Sequence, residues 1–255
     1  MPSLDARTAS LPAWDLDDHA APATLARQGF VLLSPARVRA LAGIADADAA
    51  ALAASWDDLP PDEHLRDGGR YRFRRHASLI DGLEAPGALH IAPRRPHYQP
   101  LDYNALHGGY ERWFAPCSSD VLAHPAFQRL VQGLGALLRE ARGEPLPWIE
   151  VHQFRITTAD GIGRPTPEGA HRDGVEAVAV LLLDRVGVRG GETRVFEADG
   201  PAGLRFTMRE PWTCLLLDDH RMIHETTPLQ PEAEGGHRDT LVLTWRRDGF
   251  LDPPR

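Results

Sequence analysis

The chain is poor in cysteine: only Cys117 and Cys214 occur in 255 residues, with no Cys-x-x-Cys spacing. That excludes a disulfide framework, and it fits a reducing, cytoplasmic compartment. Long apolar runs are also missing. The longest purely aliphatic stretch, residues 178–183, is far short of a membrane span, and no apolar segment follows the opening Met1-Pro2-Ser3-Leu4-Asp5-Ala6-Arg7, so neither an anchor nor a signal peptide is expected. A basic excess is absent too. With 28 Lys plus Arg against 36 Asp plus Glu, the net charge of −8 argues against a nucleic-acid partner. There is no internal repeat and no low-complexity tract.

What is present suits a large buried core, since 42% of the residues are apolar. A β-rich chain of this length commonly forms one domain. The expected organisation is a single domain over residues 1–255, with a loose polar arm at 1–20, helices and accessory strands over 21–147, and a strand-rich core over 148–248. Ser34-Pro35 reads as a helix start, and residues 47–56 continue helical. A clearer helix begins at Pro125, carries Phe127, Leu130, Val131, Leu134, Leu137 and Leu138 at helical spacing, and ends at Gly143. From Trp148 onward the pattern changes to short strands, over 149–156, 171–183, 192–196, 204–209, 213–217 and 240–245, with 69–79 supplying another. About eight antiparallel strands with helices packed outside is the composition of a double-stranded β-helix, a cupin-like jelly roll. An ordinary β-sandwich has the same strand count, but nothing in it requires histidines and a carboxylate to gather at one end.

The chemistry is carried by His171-Arg172-Asp173, followed by His224 and then Arg238. Two histidines and one carboxylate are the protein ligands of a mononuclear non-heme iron centre with open coordination positions. On an extended strand, i and i+2 share a face, so one strand end offers both His171 and Asp173 to one metal. A His-x-acid pair alone is weak, because this composition gives about 1.7 by chance. The chain has two, and the second, His237-Arg238-Asp239, has no histidine after it. Both spell H-R-D, as in a kinase catalytic loop, but no Gly-rich loop, V-A-I-K strand or D-F-G accompanies them. His224 is the expected third ligand because Thr226-Thr227-Pro228 ends its strand; His220, four residues earlier, is the alternative. Arg238 offers a planar fork suited to a carboxylate. Thr240 shares its strand face and can add a hydroxyl. The competing assignment for Arg238 is a rim arginine paired with Asp239 or a nearby acid.

In the segment from Arg70 to Leu79, alternation puts Tyr71, Phe73, Arg75, Ala77 and Leu79 on one face, with Arg70, Arg72, Arg74, His76 and Ser78 on the other. The second face is expected to be solvated. Arg75, in register with aromatics, points inward and needs a carboxylate: a structural Asp or Glu, or the carboxylate of a bound substrate. His152 and Gln153 occupy a strand beside the pocket as polar core residues. Trp212 and Trp245 read as core, and His90, His97 and His107 as solvent or lid residues in a Pro/Gly-rich connection.

The runs His171-Arg172-Asp173-Gly174, Gly190-Gly191-Glu192-Thr193, His224-Glu225-Thr226-Thr227-Pro228 and Arg238-Asp239-Thr240-Leu241-Val242, with Gly69-Arg70-Tyr71-Arg72-Phe73-Arg74-Arg75 upstream, resemble the 2-oxoglutarate/Fe(II) dioxygenases of the bacterial free-amino-acid hydroxylase type, which includes isoleucine hydroxylases and BsmA-like proteins. The resemblance covers roughly residues 60–248. It implies Fe(II) held by His171, Asp173 and His224, 2-oxoglutarate gripped by Arg238, O₂ as oxidant, decarboxylation to succinate, and hydroxylation of a C–H bond in a small-molecule substrate such as a free L-amino acid. Two other functions fit the residues alone: a cupin-like metalloenzyme using no 2-oxo acid, and a non-catalytic metal- or ligand-binding sensor barrel. Nothing in the pattern specifies an oligomeric state.

Overall fold

A computed structural model of the chain describes residues 18–82, 88–104 and 106–253. Residues 1–17 of the expected arm lie outside the described residues. Three short helices and one strand come first: α1 (Ala21–Gln28), β1 (Phe30–Leu33), α2 (Pro35–Ala42) and α3 (Asp46–Ala54). The Ser34 hydroxyl accepts from the Arg37 amide at 3.2 Å, the N-cap expected ahead of Pro35. Next come β2 (Arg72–Asp81), β3 (Leu89–Ile91), α4 (Ser119–Ala123) and the long α5 (Pro125–Arg142). Gly143 closes α5 in the left-handed conformation, φ 76°, its amide donating to the Arg139 carbonyl. The remainder is strand: β4 (Trp148–Thr157), β5 (Ala177–Val186), β6 (Val188–Gly190), β7 (Thr193–Glu197), β8 (Gly203–Phe206), β9 (Cys214–Asp218), β10 (Met222–Thr226), β11 (Leu229–Pro231) and β12 (His237–Arg246).

A seven-stranded sheet in the order β1-β9-β5-β12-β4-β2-β3 faces a three-stranded sheet, β10-β7-β8, with β11 and β6 paired beside them. All named pairings are antiparallel. The result is mainly β with flanking helices, the jelly roll expected from the strand pattern. Strands β1, β2 and β3, drawn from the first half of the chain, extend the large sheet on both flanks.

Strand alternation divides the apolar residues into two cores. The outer face of the large sheet, including Ile149, Val151, Leu181, Leu216, Leu243 and Trp245, packs against α1, α2 and the apolar stripe of α5. The inner face, including Phe30, Val178, Leu182, Leu215 and Leu217, meets Val195 and Met222 of the small sheet. Trp212 and Trp245 are core residues, as expected. At the β2–β4 end the inner face becomes polar, and the jelly-roll interior opens there into a cavity.

Two local expectations change. The strand expected from His171 starts only at Ala177; before it, His171 makes an isolated bridge to His224 with reciprocal backbone hydrogen bonds of 3.0 and 2.9 Å. In β2 the face carrying Arg72, Arg74, His76 and Ser78 is buried rather than solvated. Both faces of this strand are covered, by the helical layer on one side and by the β3–α4 connection, including His97 and Phe114, on the other. Alternation assigns residues to faces, but it cannot say that neither face meets water.

Candidate active site

The walls of the cavity come from β2, β4, β12, β10, the segment before β5 and the long connection between β3 and α4. His171, Asp173 and His224 meet on one side, with one donor atom from each lying within 4.8 Å of the others. His171 Nε2 is 3.7 Å from Asp173 Oδ1, and His224 Nε2 is 3.8 Å from Asp173 Oδ2. The His171 Nδ1–H donates to the Gly169 carbonyl at 3.0 Å, which turns Nε2 toward the carboxylate. His220 sits on an exposed turn away from this group.

The backbone between His171 and β5 is held by Asp219. Its carboxylate accepts from the amides of Asp173, Gly174 and Val175 at 3.0, 2.8 and 3.1 Å. Burial and the neighbouring Asp173 charge push Asp219 up to about 7. Gly174 is required where it stands: φ is 75°, and a Cβ there would lie 2.6 Å from the Tyr103 ring. Gln99 donates to Asp173 Oδ1 at 3.0 Å, and its own carbonyl accepts from Arg112 at 2.7 Å and Asn104 at 3.2 Å. Burial, together with His171, holds His224 well below the ordinary histidine range, which keeps it neutral, the form in which an imidazole can ligate a metal. For His171, burial opposes protonation, but the Asp173 and Glu168 carboxylates outweigh it and raise the value. A divalent cation would satisfy those same carboxylates, so the donor set fits one.

Arg238 and Thr240 of β12 line the same cavity. Arg238 is buried, and its Nε and Nη2 have no hydrogen-bond partner. Burial, then the Arg185 charge, lower its pKa to about 10. The competing rim-pair assignment does not hold: Asp239 points to the opposite face, where Arg155 grips both its oxygens at 2.8 and 2.7 Å. A buried guanidinium in a cavity wall, with two donors unpartnered, calls for an anion, and the distal carboxylate of a 2-oxo acid fits it.

Arg75 is elsewhere. It lies on the helix-side face of β2 and donates to the carbonyls of Pro116 and Asp58 and to the Asp58 carboxylate at 3.1–3.2 Å. The structural-carboxylate alternative describes it, and the cavity is lined by Arg72 and Arg74 in its place. His97 and His107, expected in solvent or in a lid, are buried, His97 within the cavity wall. His152 faces the cavity, whereas Gln153 faces away and donates to Ser55.

A second cluster with metal-ligand chemistry, His76, His97, Glu150 and His152, is fully buried. Its carboxylate is already engaged: Glu150 Oε1 meets His76 Nε2 at 3.2 Å and Arg95 at 3.3 Å, and Oε2 meets His97 Nδ1 at 3.2 Å. Arg74 donates to His152 Nδ1 at 2.8 Å. The group is a closed hydrogen-bonded wall with an arginine at each end, a setting that disfavours a cation. Sequence reading passed over Gln99, Arg112 and Asp219; Asp219, beside the histidine segment, is the one whose position offered a signal.

Three side chains of metal-donor chemistry and a buried arginine with unpartnered donors, sharing a jelly-roll cavity, are what an oxygenase using a metal and a 2-oxo acid needs. The comparisons agree. A family model described as 2OG-Fe dioxygenase matches residues 53–244, and the chain belongs to that family, whose cofactors are Fe(II) and 2-oxoglutarate. A BsmA homolog from Methylobium petroleophilum is 49% identical, with TM-score 0.87 over 95% of this chain and 100% of that one. IDO from Bacillus thuringiensis shares the fold at 17% identity and TM-score 0.72, covering 93% and 99% of the two chains. The Fe(II)/α-ketoglutarate-dependent dioxygenase TqaL does so at 18% and 0.66, covering 89% and 86%. Among curated protein sequences nothing matches this chain. Among the described residues, no helix is long and apolar enough to cross a membrane.

Proposed function

We propose that this enzyme hydroxylates a free L-amino acid of aliphatic or thioether type. The observation that carries the reading is the shared cavity, with His171, Asp173 and His224 on one side and the partnerless donors of Arg238 on another. In this reading His171, Asp173 and His224 hold Fe(II), and Arg238, with the Thr240 hydroxyl beside it, receives the distal carboxylate of 2-oxoglutarate. The bound iron supplies oxidative chemistry at the expense of O₂ and the 2-oxo acid. The protein supplies placement: Gln99 and the Gly169 carbonyl orient the ligands, Asp219 fixes their loop, and the buried walls exclude water. A clamp for a 2-oxo acid has no use in a cupin-like enzyme that lacks that cosubstrate, and family membership points the same way. The cavity walls carry charges of both signs, which suits a small zwitterion. We read the whole chain as one dioxygenase domain, and its two buried, unbridged cysteines fit a reducing cytoplasm.

The test is a panel of free L-amino acids incubated with Fe(II), 2-oxoglutarate and O₂. Stimulated succinate release with a gain of about 16 mass units in one amino acid is the expected result. Oxidation of a peptide or nucleobase, with every free amino acid inert, would overturn the substrate reading and leave the iron site in place.

A further inference from the structure

The cavity contains a second set of under-partnered cations, separate from Arg238. Arg74, Arg72 and Arg112 all line it and are all buried. The carboxylate nearest to them, Asp62, has no exposed surface and is already engaged: Oδ2 takes Arg72 Nε at 2.7 Å and Oδ1 takes the His64 amide at 2.9 Å. Arg74 comes no closer to it than 3.8 Å. Glu150 is held by His76, His97 and Arg95, and Glu168 lies 3.7 Å from His171. Arg74 is therefore wedged between the rings of Phe114 and Phe154, with its guanidinium carbon 3.6 and 4.3 Å from their centroids, and its Nε has no partner. The Nε of Arg112 has none either. Burial holds both guanidinium groups below the usual arginine range. Buried cations that line a cavity and have no carboxylate of their own are poised for an anion.

The position of these residues says which anion. Thr240, Phe154 and Arg74 are register partners across three adjacent strands, so Arg74 stands about two strand spacings, roughly 10 Å, from the β12 clamp. Arg112 reaches the metal set through one intervening side chain, because Gln99 accepts from Arg112 and donates to Asp173. An anion held here lies beside the iron ligands without occupying the 2-oxo-acid position.

We propose that Arg74 and Arg112 form the subsite for the carboxylate of the organic substrate, holding the remainder of that molecule against the iron centre. The proposal rests on the amino-acid reading above and assigns to Arg74 and Arg112 the role that strand alternation gave to Arg75. Stacking between two phenyl rings makes Arg74 rigid, and a planar fork fits a carboxylate better than a flexible ammonium does.

The experiment uses protein loaded with Mn(II) and saturated with 2-oxoglutarate, so that binding is read calorimetrically without turnover. It is titrated with L-leucine and L-methionine, with their C-terminal amides, and with 4-methylpentanoate, which keeps a carboxylate and lacks an ammonium. The expected result is that the amides bind about tenfold or more weakly than the acids. Arg74→Gln and, independently, Arg112→Gln should bring that ratio close to one by weakening the acids alone, so a misfolded Arg74 variant does not leave the question open. Amides binding as tightly as acids, or a ratio that survives both substitutions, would overturn the subsite. So would the failure of all three carboxylates to bind. Binding of 4-methylpentanoate with both amino acids excluded, and lost in the variants, keeps the subsite and removes the amino-acid reading.

Discussion

Replacing Arg238 by Met tests the cosubstrate clamp in two opposite directions at once. Its guanidinium is buried with two N–H groups unpartnered, and its pKa falls from the ordinary arginine value to about 10. At about 1.4 kcal/mol per tenfold change in the protonation equilibrium, that displacement is about 3 kcal/mol of unfavourable ionisation carried by the 2-oxo-acid-free protein. Methionine fills much of the same length without a charge, so the ligand-free variant should be more stable than wild type by about 1–3 kcal/mol. For a chain of this size that is several degrees in Tm, at roughly 2–4 °C per kcal/mol. With 2-oxoglutarate the order should reverse. Cutting away one member of a buried ion pair typically costs about 2–5 kcal/mol, so the KM for 2-oxoglutarate should rise roughly 30-fold to several thousand-fold. Arg238→Lys should recover part of the loss, since it restores the charge without the fork. The assay is a melting curve with and without 2-oxoglutarate, alongside steady-state succinate release. A variant that melts below wild type when ligand-free and is still protected by 2-oxoglutarate as wild type is would refute the clamp.

Asp173→Ala and His171→Ala should each lose stoichiometric iron and turnover while His220→Ala keeps both, as measured by elemental analysis of the purified protein; iron retained in the first two would displace the ligand assignment. Gln99→Leu removes the donor that orients Asp173 and should lower metal affinity about tenfold to a hundredfold; unchanged affinity in a competition titration would make Gln99 incidental. The buried histidines should make stability fall on acidification, against an opposing gain from Asp219, whose raised carboxyl takes up a proton in the folded state. Burial pushes His97 down from an ordinary 6.5 to about 4, and it lowers His76 and His152 as well. The unfolded chain therefore binds protons that the folded one refuses, and stability present above pH 6.5 is lost as pH falls through the folded value. His97 alone accounts for about 2 kcal/mol by pH 5. The paired Glu150, held well below the carboxylate range, loses its contribution in the same direction. His97→Phe should remove its share of the pH dependence, and urea midpoints that vary identically in wild type and variant between about pH 7.5 and 5 would contradict this.

The sequence by itself determined the elements whose signals are local. Helix α5 was legible from its apolar spacing, Pro125 and Gly143, because a 3.6-residue period and its caps depend on neighbours along the chain. The alternation of β4 and β12 was legible for the same reason, and it put Arg238 and Thr240 on one face as the structure does. His171, Asp173, His224 and Arg238 could be selected because so few histidines stand in a suitable order, and the resemblance of their flanking residues named the family. Tertiary structure decided the rest. Asp219 and Gln99 hold the Asp173 segment through contacts spanning 46 and 74 residues, which no periodicity encodes. That Arg74 rather than Arg75 lines the cavity depends on which face of β2 meets it, and α5 and its neighbouring helices cover the other side. Alternation specifies two faces with no preference between them, and only packing in three dimensions tells them apart.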